Sequence, residues 1–286
     1  MVPTAVAFRD PRHGVVGFGC VPVCGTGAIA VTRDGGRTVR VVLRTRSGVR
    51  WVGFAGARLH AALDHGRLLE STDGGKTWYR WRSRYGFGAS FADARHGLSV
   101  AGPIGGGAGP LHLAWTRDGG RTWRVVRSPC AQAVSDNADV SLVTPTRGWV
   151  LCEGQGSAGN QAKAVYRTTD GGRRWRAVAE AIYYPRRRDH GGLGSYGYAV
   201  GIAFARDGFG VLWETRGTLF VTRDGGRHWV AKPRLVQPEV DFGESAAALA
   251  GGRAFVLLSR GAIHRRLIAT RDYGRTWLRR RLRRRP

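Results

Sequence analysis

Short apolar segments, most with apolar residues two positions apart, recur along the whole chain of 286 residues. Examples are Val49–Phe54, Leu59–Leu63 and Leu219–Val221, each with Gly or Asp nearby. A period of two, interrupted by turn-forming residues, is typical of β-strands joined by tight turns. No apolar run approaches the ~20 residues that a membrane-spanning helix needs. The pattern therefore predicts an all-β protein without a transmembrane segment.

The turns contain a repeated motif, Ser/Thr-x-Asp-x-Gly-x-x-Trp, in six copies, with Val39 replacing Trp in the first. Asp can accept hydrogen bonds from backbone N–H groups just ahead, Gly can adopt a positive φ, and Trp can bury a large apolar surface. Each residue type thus has a structural role. The positions concerned are Asp34, Gly36, Asp73, Gly75, Trp78, Asp118, Gly120, Trp123, Asp170, Gly172, Trp175, Asp224, Gly226, Trp229, Asp272, Gly274 and Trp277.

The motif resembles the Asp-box, also called the bacterial neuraminidase repeat. In proteins that carry it, the box forms the turn between the third and fourth strands of a β-propeller blade. A second repeated unit precedes the boxes, for example at Ala7–Val16, Ser90–Ser99 and Phe204–Gly210. This unit is similar to the propeller family of photosystem II assembly and stability factors, and less similar to true sialidases. The resemblance implies a scaffold that helps to assemble or stabilise a membrane complex.

The spacing of the boxes predicts the number of blades. Their aspartates lie about 48 residues apart on average, and six such units fill the chain. We therefore expect a single β-propeller domain of six four-stranded blades. Seven blades are the alternative if N-terminal sequence is missing. The predicted blades span about residues 4–44, 47–84, 88–128, 139–179, 198–232 and 245–282, with a glycine-rich loop at 153–160 inside the fourth.

The formal charge is +26, from 46 basic and 20 acidic residues. One interpretation is the arginine bias of a GC-rich genome, and the other is an anionic partner. No sequence signature of a specific nucleic-acid-binding fold is present. The partner expected is an unknown protein or an anionic polymer. A basic residue follows each box glycine, and in a propeller these would form a ring on one rim: Arg37, Lys76, Arg121, Arg173, Arg227 and Arg275.

An irregular segment between the predicted blades 4 and 5 is a candidate contact surface. It combines tyrosines with an arginine triplet, residue types enriched at binding hot spots. The alternative is a solvated, variable loop. The residues are Tyr183, Tyr184, Arg186, Arg187 and Arg188. The arginine-rich run at 279–286 has the same two interpretations, an anion-binding tail or a frayed terminus.

Four cysteines, Cys20, Cys24, Cys130 and Cys152, suggest two disulfides. We expect a Cys20–Cys24 loop staple and a Cys130–Cys152 bridge, with four buried thiols as the alternative. Disulfides would place the protein in an oxidising, extracytoplasmic compartment, although no leader is visible in this chain. The eight histidines form no cluster with ligand spacing, so we expect no metal and no cofactor.

The carboxylates that are not used in turns limit whether the chain could be a glycosidase. A sialidase-like exo-glycosidase needs an acid/base carboxylate and an activated nucleophile. Most aspartates are in boxes or recurring turns, which leaves Glu153, Glu214, Asp241 and Glu244 as candidate catalytic acids. We favour a monomeric, non-catalytic binding or assembly scaffold that presents its loops to a partner, with the glycosidase as the alternative.

Overall fold

The computed structural model describes residues 1–20, 25–102, 111–130, 137–183, 187–215, 218–233, 235, 241–260 and 264–284. Six sheets follow one another along the chain, each built on an antiparallel meander of four consecutive strands. They form a ring of six blades of four strands, a six-bladed β-propeller, so the predicted fold class is confirmed. No helix in the described ranges is long and apolar enough to cross a membrane.

Blades 1 to 3 each contain four strands in chain order. Blade 1 has β1 Val2–Phe8, β2 Gly14–Gly19, β3 Gly27–Thr32 and β4 Thr38–Thr45. Blade 2 has β5 Val49–Ala55, β6 Arg58–Leu63, β7 Leu68–Ser71 and β8 Tyr79–Arg80, with a short 3-10 helix at Asp64–Gly66. Blade 3 has β9 Ser90–Phe91, β10 Gly97–Ala101, β11 His112–Thr116 and β12 Arg124–Arg127.

Blades 4 to 6 follow the same order. Blade 4 has β13 Asn137–Leu142, β14 Gly148–Ser157, β15 Asn160–Thr168, β16 Arg176–Ile182 and an additional β17 Arg188–His190. Blade 5 has β18 Tyr198–Phe204, β19 Gly210–Thr215, β20 Leu219–Thr222 and β21 Val230–Ala231. Blade 6 has β22 Asp241–Leu249, β23 Arg253–Arg260, β24 His264–Thr270 and β25 Leu278–Arg280, and β26 Arg283–Arg284 follows it.

Blade 4 departs from the sequence-based expectation. Residues 153–160, expected as a loop, extend β14 and β15 into a long hairpin, in which Gly156 pairs with Gln161 and Ser157 with Asn160. Ala158 and Gly159 form the tight turn with positive φ values of 49° and 83°. The glycines and the serine in this stretch suggested a loop. Pairing between the two strands of the hairpin instead satisfies the backbone N–H and C=O groups of the stretch.

The core lies between the blades. In the described part of the chain, buried apolar side chains form six clusters, one between each pair of neighbouring blades. Between blades 4 and 5, Trp149 stacks on Phe204 with ring centroids 3.9 Å apart. The stack buries the apolar faces of both rings between the two blades.

Blade 6 packs against blade 1 to close the ring. Phe8 stacks on Phe255 at 3.7 Å, and the Ser245 hydroxyl bonds both the N–H and the C=O of Val6 (3.2 and 3.0 Å). β26 adds to the outer edge of blade 1 as a short parallel pair with Thr38 and Val39. Residues 283 and 284 of the arginine-rich run are therefore part of a sheet and are not a frayed terminus.

A disulfide joins Cys130 to Cys152, which is fully buried in β14. It ties the segment that leaves blade 3 to the second strand of blade 4. Cys20 is also disulfide-bonded. Cys24 lies outside the described residues, so the Cys20–Cys24 pairing stays a prediction.

Candidate functional site

The Asp-box turn of blade 3 shows how the motif works. The Thr116 hydroxyl donates to Asp118 Oδ1 (2.8 Å) and accepts the Gly120 N–H (2.9 Å). The same carboxylate accepts the backbone N–H groups of Arg121 (3.0 Å) and Thr122 (2.9 Å), and Oδ2 accepts the Thr122 hydroxyl at 2.6 Å. The box carboxylate is thus occupied by its own turn, which leaves it no free acceptor for catalysis.

These hydrogen bonds also control the ionisation of the box. Partial burial raises the pKa of Asp118, but the Thr122 and Thr116 hydroxyls and the backbone donors together lower it to about 2. Asp34 of blade 1 responds in the same way, and its pKa also falls to about 2. At neutral pH both carboxylates are therefore charged acceptors.

Each box glycine packs against the preceding blade, and in the described structure five of the six boxes also donate a backbone hydrogen bond to the first turn of their own blade. A side chain at Gly120 would place its Cβ 2.5 Å from the Trp81 ring, so only glycine fits there. The Gly119 N–H donates to the carbonyl of Arg95 in the β9–β10 turn (2.9 Å), and the Gly35 N–H bonds Arg12 in the same way. Box turns and first turns therefore share one face of the ring, which we call the box face.

The box face is strongly basic. The six basic residues that follow the box glycines are all exposed: Arg37, Lys76, Arg121, Arg173, Arg227 and Arg275. Arg33, Arg117, Arg223 and Arg271 occupy the second box position and are exposed as well. The box aspartates lie between these residues, but their carboxylates are hydrogen-bonded within the turns. They lower the net charge of the face while the basic side chains stay exposed. We call the first six residues the basic ring.

A cavity of about 790 Å³ runs along the axis of the ring. The innermost strands of all six blades line it, mainly with apolar and small side chains. Asp139 and Glu244 lie on its wall. Glu244 pairs with Arg265 (3.3 Å), whose side chain is almost fully buried.

A buried ion pair lies between blades 4 and 5, and neither of its two residues lines this cavity. Lys163 of β15 and Glu214 of β19 form a hydrogen-bonded salt bridge, and both side chains are fully shielded from solvent. The Lys163 ammonium also donates to the Tyr196 carbonyl (2.9 Å), and Glu214 Oε2 accepts the Thr218 N–H (3.0 Å). Burial lowers the pKa of Lys163 and raises that of Glu214, and each partner's charge opposes the shift.

Two more carboxyls extend this buried cluster. Burial and then the charge of Asp139 raise the pKa of Glu153 to about 8, against a 3.0 Å hydrogen bond from Asn137 and the charge of Lys163. Burial raises the pKa of Asp139 to about 6, although it accepts the Ile202 N–H at 2.8 Å. At neutral pH Glu153 therefore holds a proton, and its Oε1 has no hydrogen-bond partner in the described structure.

The three candidate acids whose side chains the structure describes do not form one site. Glu153 and Glu214 both approach Lys163, Glu244 belongs to blade 6, and the side chain of Asp241 lies outside the described part of the molecule. A raised carboxyl pKa suits a general acid. However, Glu153 and Glu214 are only 2% and 3% exposed, so a saccharide cannot reach them without blade separation.

Sequence reasoning missed Lys163 and Asp139. Lys163 is one of three lysines in a chain with 46 basic residues, and it stands among apolar residues of a strand. The available signal was a lysine within an apolar stretch of a chain whose other basic residues are almost all arginine. Within the described ranges, no group of three His, Cys, Asp or Glu side chains could hold a metal ion.

The predicted contact segment between blades 4 and 5 is partly described. Tyr183 is exposed, with the Arg187 guanidinium 5.7 Å from its ring centroid. Arg187 also pairs with Asp189 (3.3 Å), and Arg188 pairs with Glu180 (3.2 Å) from the added strand β17. Tyr184 and Arg186 lie outside the described residues. The segment therefore stays a proposed contact surface.

The family model for the BNR/Asp-box repeat matches residues 69–80, the box of blade 2. The chain is therefore a six-bladed propeller that contains a BNR/Asp-box repeat in blade 2. The match confirms the motif resemblance inferred from the repeats. No curated protein sequence gives a significant match.

Solved propellers share the fold at low identity. The lectin of Aleuria aurantia, described as a six-bladed propeller with a fucose recognition mode, is 11% identical, with a TM-score of 0.60 over 98% of this chain and 94% of that one. A GH74 xyloglucanase from Xanthomonas campestris is 15% identical, with a TM-score of 0.53 over 96% of this chain, which spans 45% of the enzyme. YCF48 from Cyanidioschyzon merolae is 16% identical, covering 97% and 84%, with a TM-score of 0.49, too low to carry a functional argument.

Proposed function

We propose that this Asp-box propeller is a non-catalytic scaffold that binds an anionic polymer on its box face. The observation that supports this is the basic ring, in which six cations repeat once per blade beside aspartates already used by the turns. A regular array of like charges on a rigid surface attracts a flexible polyanion and releases its counterions.

The opposite interpretation is that arginine is simply abundant. The opposite face also carries exposed arginines, among them Arg46, Arg67 and Arg127. The proposal therefore requires that charge on the box face matters more than the same charge elsewhere. The Cys130–Cys152 disulfide supports a place outside the cytoplasm, where such polymers coat cell surfaces.

The test compares two triple variants with the same charge change. Arg37, Arg121 and Arg275 are replaced by Gln in one, and Arg46, Arg67 and Arg127 in the other. Binding of fluorescein-labelled heparin is measured by anisotropy across a salt series. We expect the box-face variant to reduce the slope of log K against log salt by up to about three, and the control to leave it nearly unchanged. Equal losses in both variants would refute a box-face site.

The glycosidase alternative is tested separately. A panel of fluorogenic sialosides and other glycosides is incubated with the protein and with the Glu153→Gln and Glu214→Gln variants. We expect no turnover, because both carboxyls are buried and Glu214 is neutralised by Lys163. Turnover that either substitution abolishes would establish an enzyme and displace the scaffold proposal.

A further inference from the structure

A second cavity, of about 460 Å³, lies at the outer edge of the ring between blades 4 and 5. Its polar lining is entirely basic or neutral in the described structure: Arg167, Arg176, Arg227, His190, His228 and Thr169. We call it the blade 4–5 pocket. Ala177 and Val178 add an apolar wall. Its volume is within the usual range for small-molecule sites.

The segment that includes β17 forms one side of the pocket through His190 and Gly191. After β17 the chain crosses from blade 4 to blade 5 at Gly191, whose carbonyl accepts the Trp229 N–H (2.7 Å). A Cβ at Gly191 would meet Ala179 at 2.5 Å, and its φ is +82°. The box turn of blade 5 then supplies the far wall with Arg227 and His228.

The arginines of the pocket lack counterions. Arg167, Arg176 and Arg227 form no ion pair with any carboxylate in the described ranges. Arg167 lies 5.6 Å from the Trp149 ring centroid, and its buried Nε has no hydrogen-bond partner there. Burial, followed by the charges of Arg147 and Arg227, lowers the pKa of Arg167.

The neighbouring acids are already used. Asp224 Oδ2 is 2.6 Å from the ring nitrogen of His228. Glu180 pairs with Arg188 (3.2 Å) and lies 3.7 Å from His190. The three arginines line one pocket without a paired carboxylate, and Arg167 is partly desolvated, so an anion in the pocket would supply the partner that the described residues do not provide.

We propose that the blade 4–5 pocket binds the phosphate or sulfate ester group of a ligand. Three guanidinium groups offer more donors than one carboxylate can accept, and a tetrahedral oxyanion presents three free oxygens to them. The volume exceeds what a free ion needs, and the apolar wall of Ala177 and Val178 suits the carbon skeleton of an ester. The site shares only Arg227 with the basic ring and does not depend on polymer binding.

The test is isothermal titration calorimetry of the whole chain with phenyl phosphate and with phenyl sulfate, in chloride at constant ionic strength. We expect saturable binding of one ester per chain, weakened at least tenfold in Arg167→Gln and in Arg176→Gln. Arg176 is exposed, so its replacement does not threaten folding. Arg121→Gln is the control. Arg121 follows the box glycine of blade 3 as Arg227 does in blade 5, but it lies outside the pocket, so this variant should bind the esters normally. The ester that binds more tightly identifies the group.

Two results would overturn the proposal. One is that titration of either ester gives no more heat than titration of chloride. The other is an equal loss in Arg121→Gln and Arg176→Gln, which would show general charge attraction only. The box-face triple variant keeps the pocket intact and should retain ester binding, so failure of the pocket and failure of the polymer site are distinguishable.

Discussion

Asp118 organises the blade 3 turn through hydrogen bonds that only an ionised carboxylate can accept together. Asp118→Asn removes one acceptor oxygen and places an amide donor opposite other donors. Since the side chain is only partly buried, solvent screening limits the loss to about 1–2 kcal/mol in urea unfolding at pH 7. The control is Asp189→Asn, which loses only a surface ion pair with Arg187 and should change stability by less than about 0.5 kcal/mol. Equal losses would mean that the box contributes no more than a surface charge.

Glu153 should make the protein less stable as the pH rises. Its pKa is about 8 in the fold, against roughly 4.3 in an unfolded chain, so the folded protein binds the extra proton between these values. Stability contributed by that proton is present below about pH 4 and is lost as the pH rises toward 8, at most about 1.4 kcal/mol per pH unit.

Glu153→Gln keeps the shape and removes the titration. Urea unfolding at pH 5, 6.5 and 8 should show a declining stability for the original protein and a flatter profile for the variant. Asp189→Asn serves as the surface control and should leave the decline intact. A variant as pH-sensitive as the original would show that Glu153 is ionised in the fold.

At the scale of elements, the β14–β15 hairpin reaches from blade 4 into blade 5 and carries Lys163 to Glu214. Lys163→Met leaves the buried Glu214 carboxylate without its counterion, with only the Thr218 N–H as a partner among the described residues. Breaking one side of a buried pair costs about 3–5 kcal/mol, which denaturant unfolding measures.

The double variant Lys163→Met with Glu214→Leu separates charge from packing. Replacing a whole buried pair by apolar residues is often close to neutral, so we expect the double variant to recover most of the lost stability. A double variant as unstable as Lys163→Met would show that the pair contributes specific geometry that apolar packing does not replace.

The same hairpin shows what sequence reasoning could and could not reach. The boxes predicted six blades because the hydroxyl, carboxylate and glycine of the motif form one turn, and such local hydrogen bonding can be recognised from a single stretch of sequence. The sequence did not predict that Glu153 and Lys163 lie opposite each other, because their position depends on the register of β14 and β15. Gly154, Gly156 and Ser157 looked like loop residues because strand pairing depends on a partner distant in sequence.

At the scale of the whole molecule, the blades are joined unequally. Between blades 4 and 5, the Gln161 side chain accepts the Ala199 N–H (2.7 Å), Ser141 accepts the Phe204 N–H (2.9 Å), and the Trp149 indole donates to Gly225 (2.9 Å). Between blades 6 and 1, Ser245 supplies the side-chain hydrogen bonds to Val6, beside the Phe8–Phe255 stack. Among the described residues, no strand of one of these two blades pairs with the other, apart from the two-residue pair of β26 with β4. The ring should therefore open first between blades 6 and 1.

Hydrogen exchange read by mass spectrometry tests this order of opening. Peptides from β1 and β22 should exchange faster than those from β13 and β18, because local opening needs less free energy where fewer side-chain hydrogen bonds cross the interface. Ser245→Ala removes about 1 kcal/mol of hydrogen bonding and should speed exchange in β1 and β22 roughly fivefold while leaving β13 and β18 unchanged. Ser141→Ala is the matched control, since it removes the corresponding hydroxyl between blades 4 and 5 and should act there alone. Uniform exchange around the ring, or a Ser245→Ala effect spread over all blades, would mean that the propeller opens as one cooperative unit.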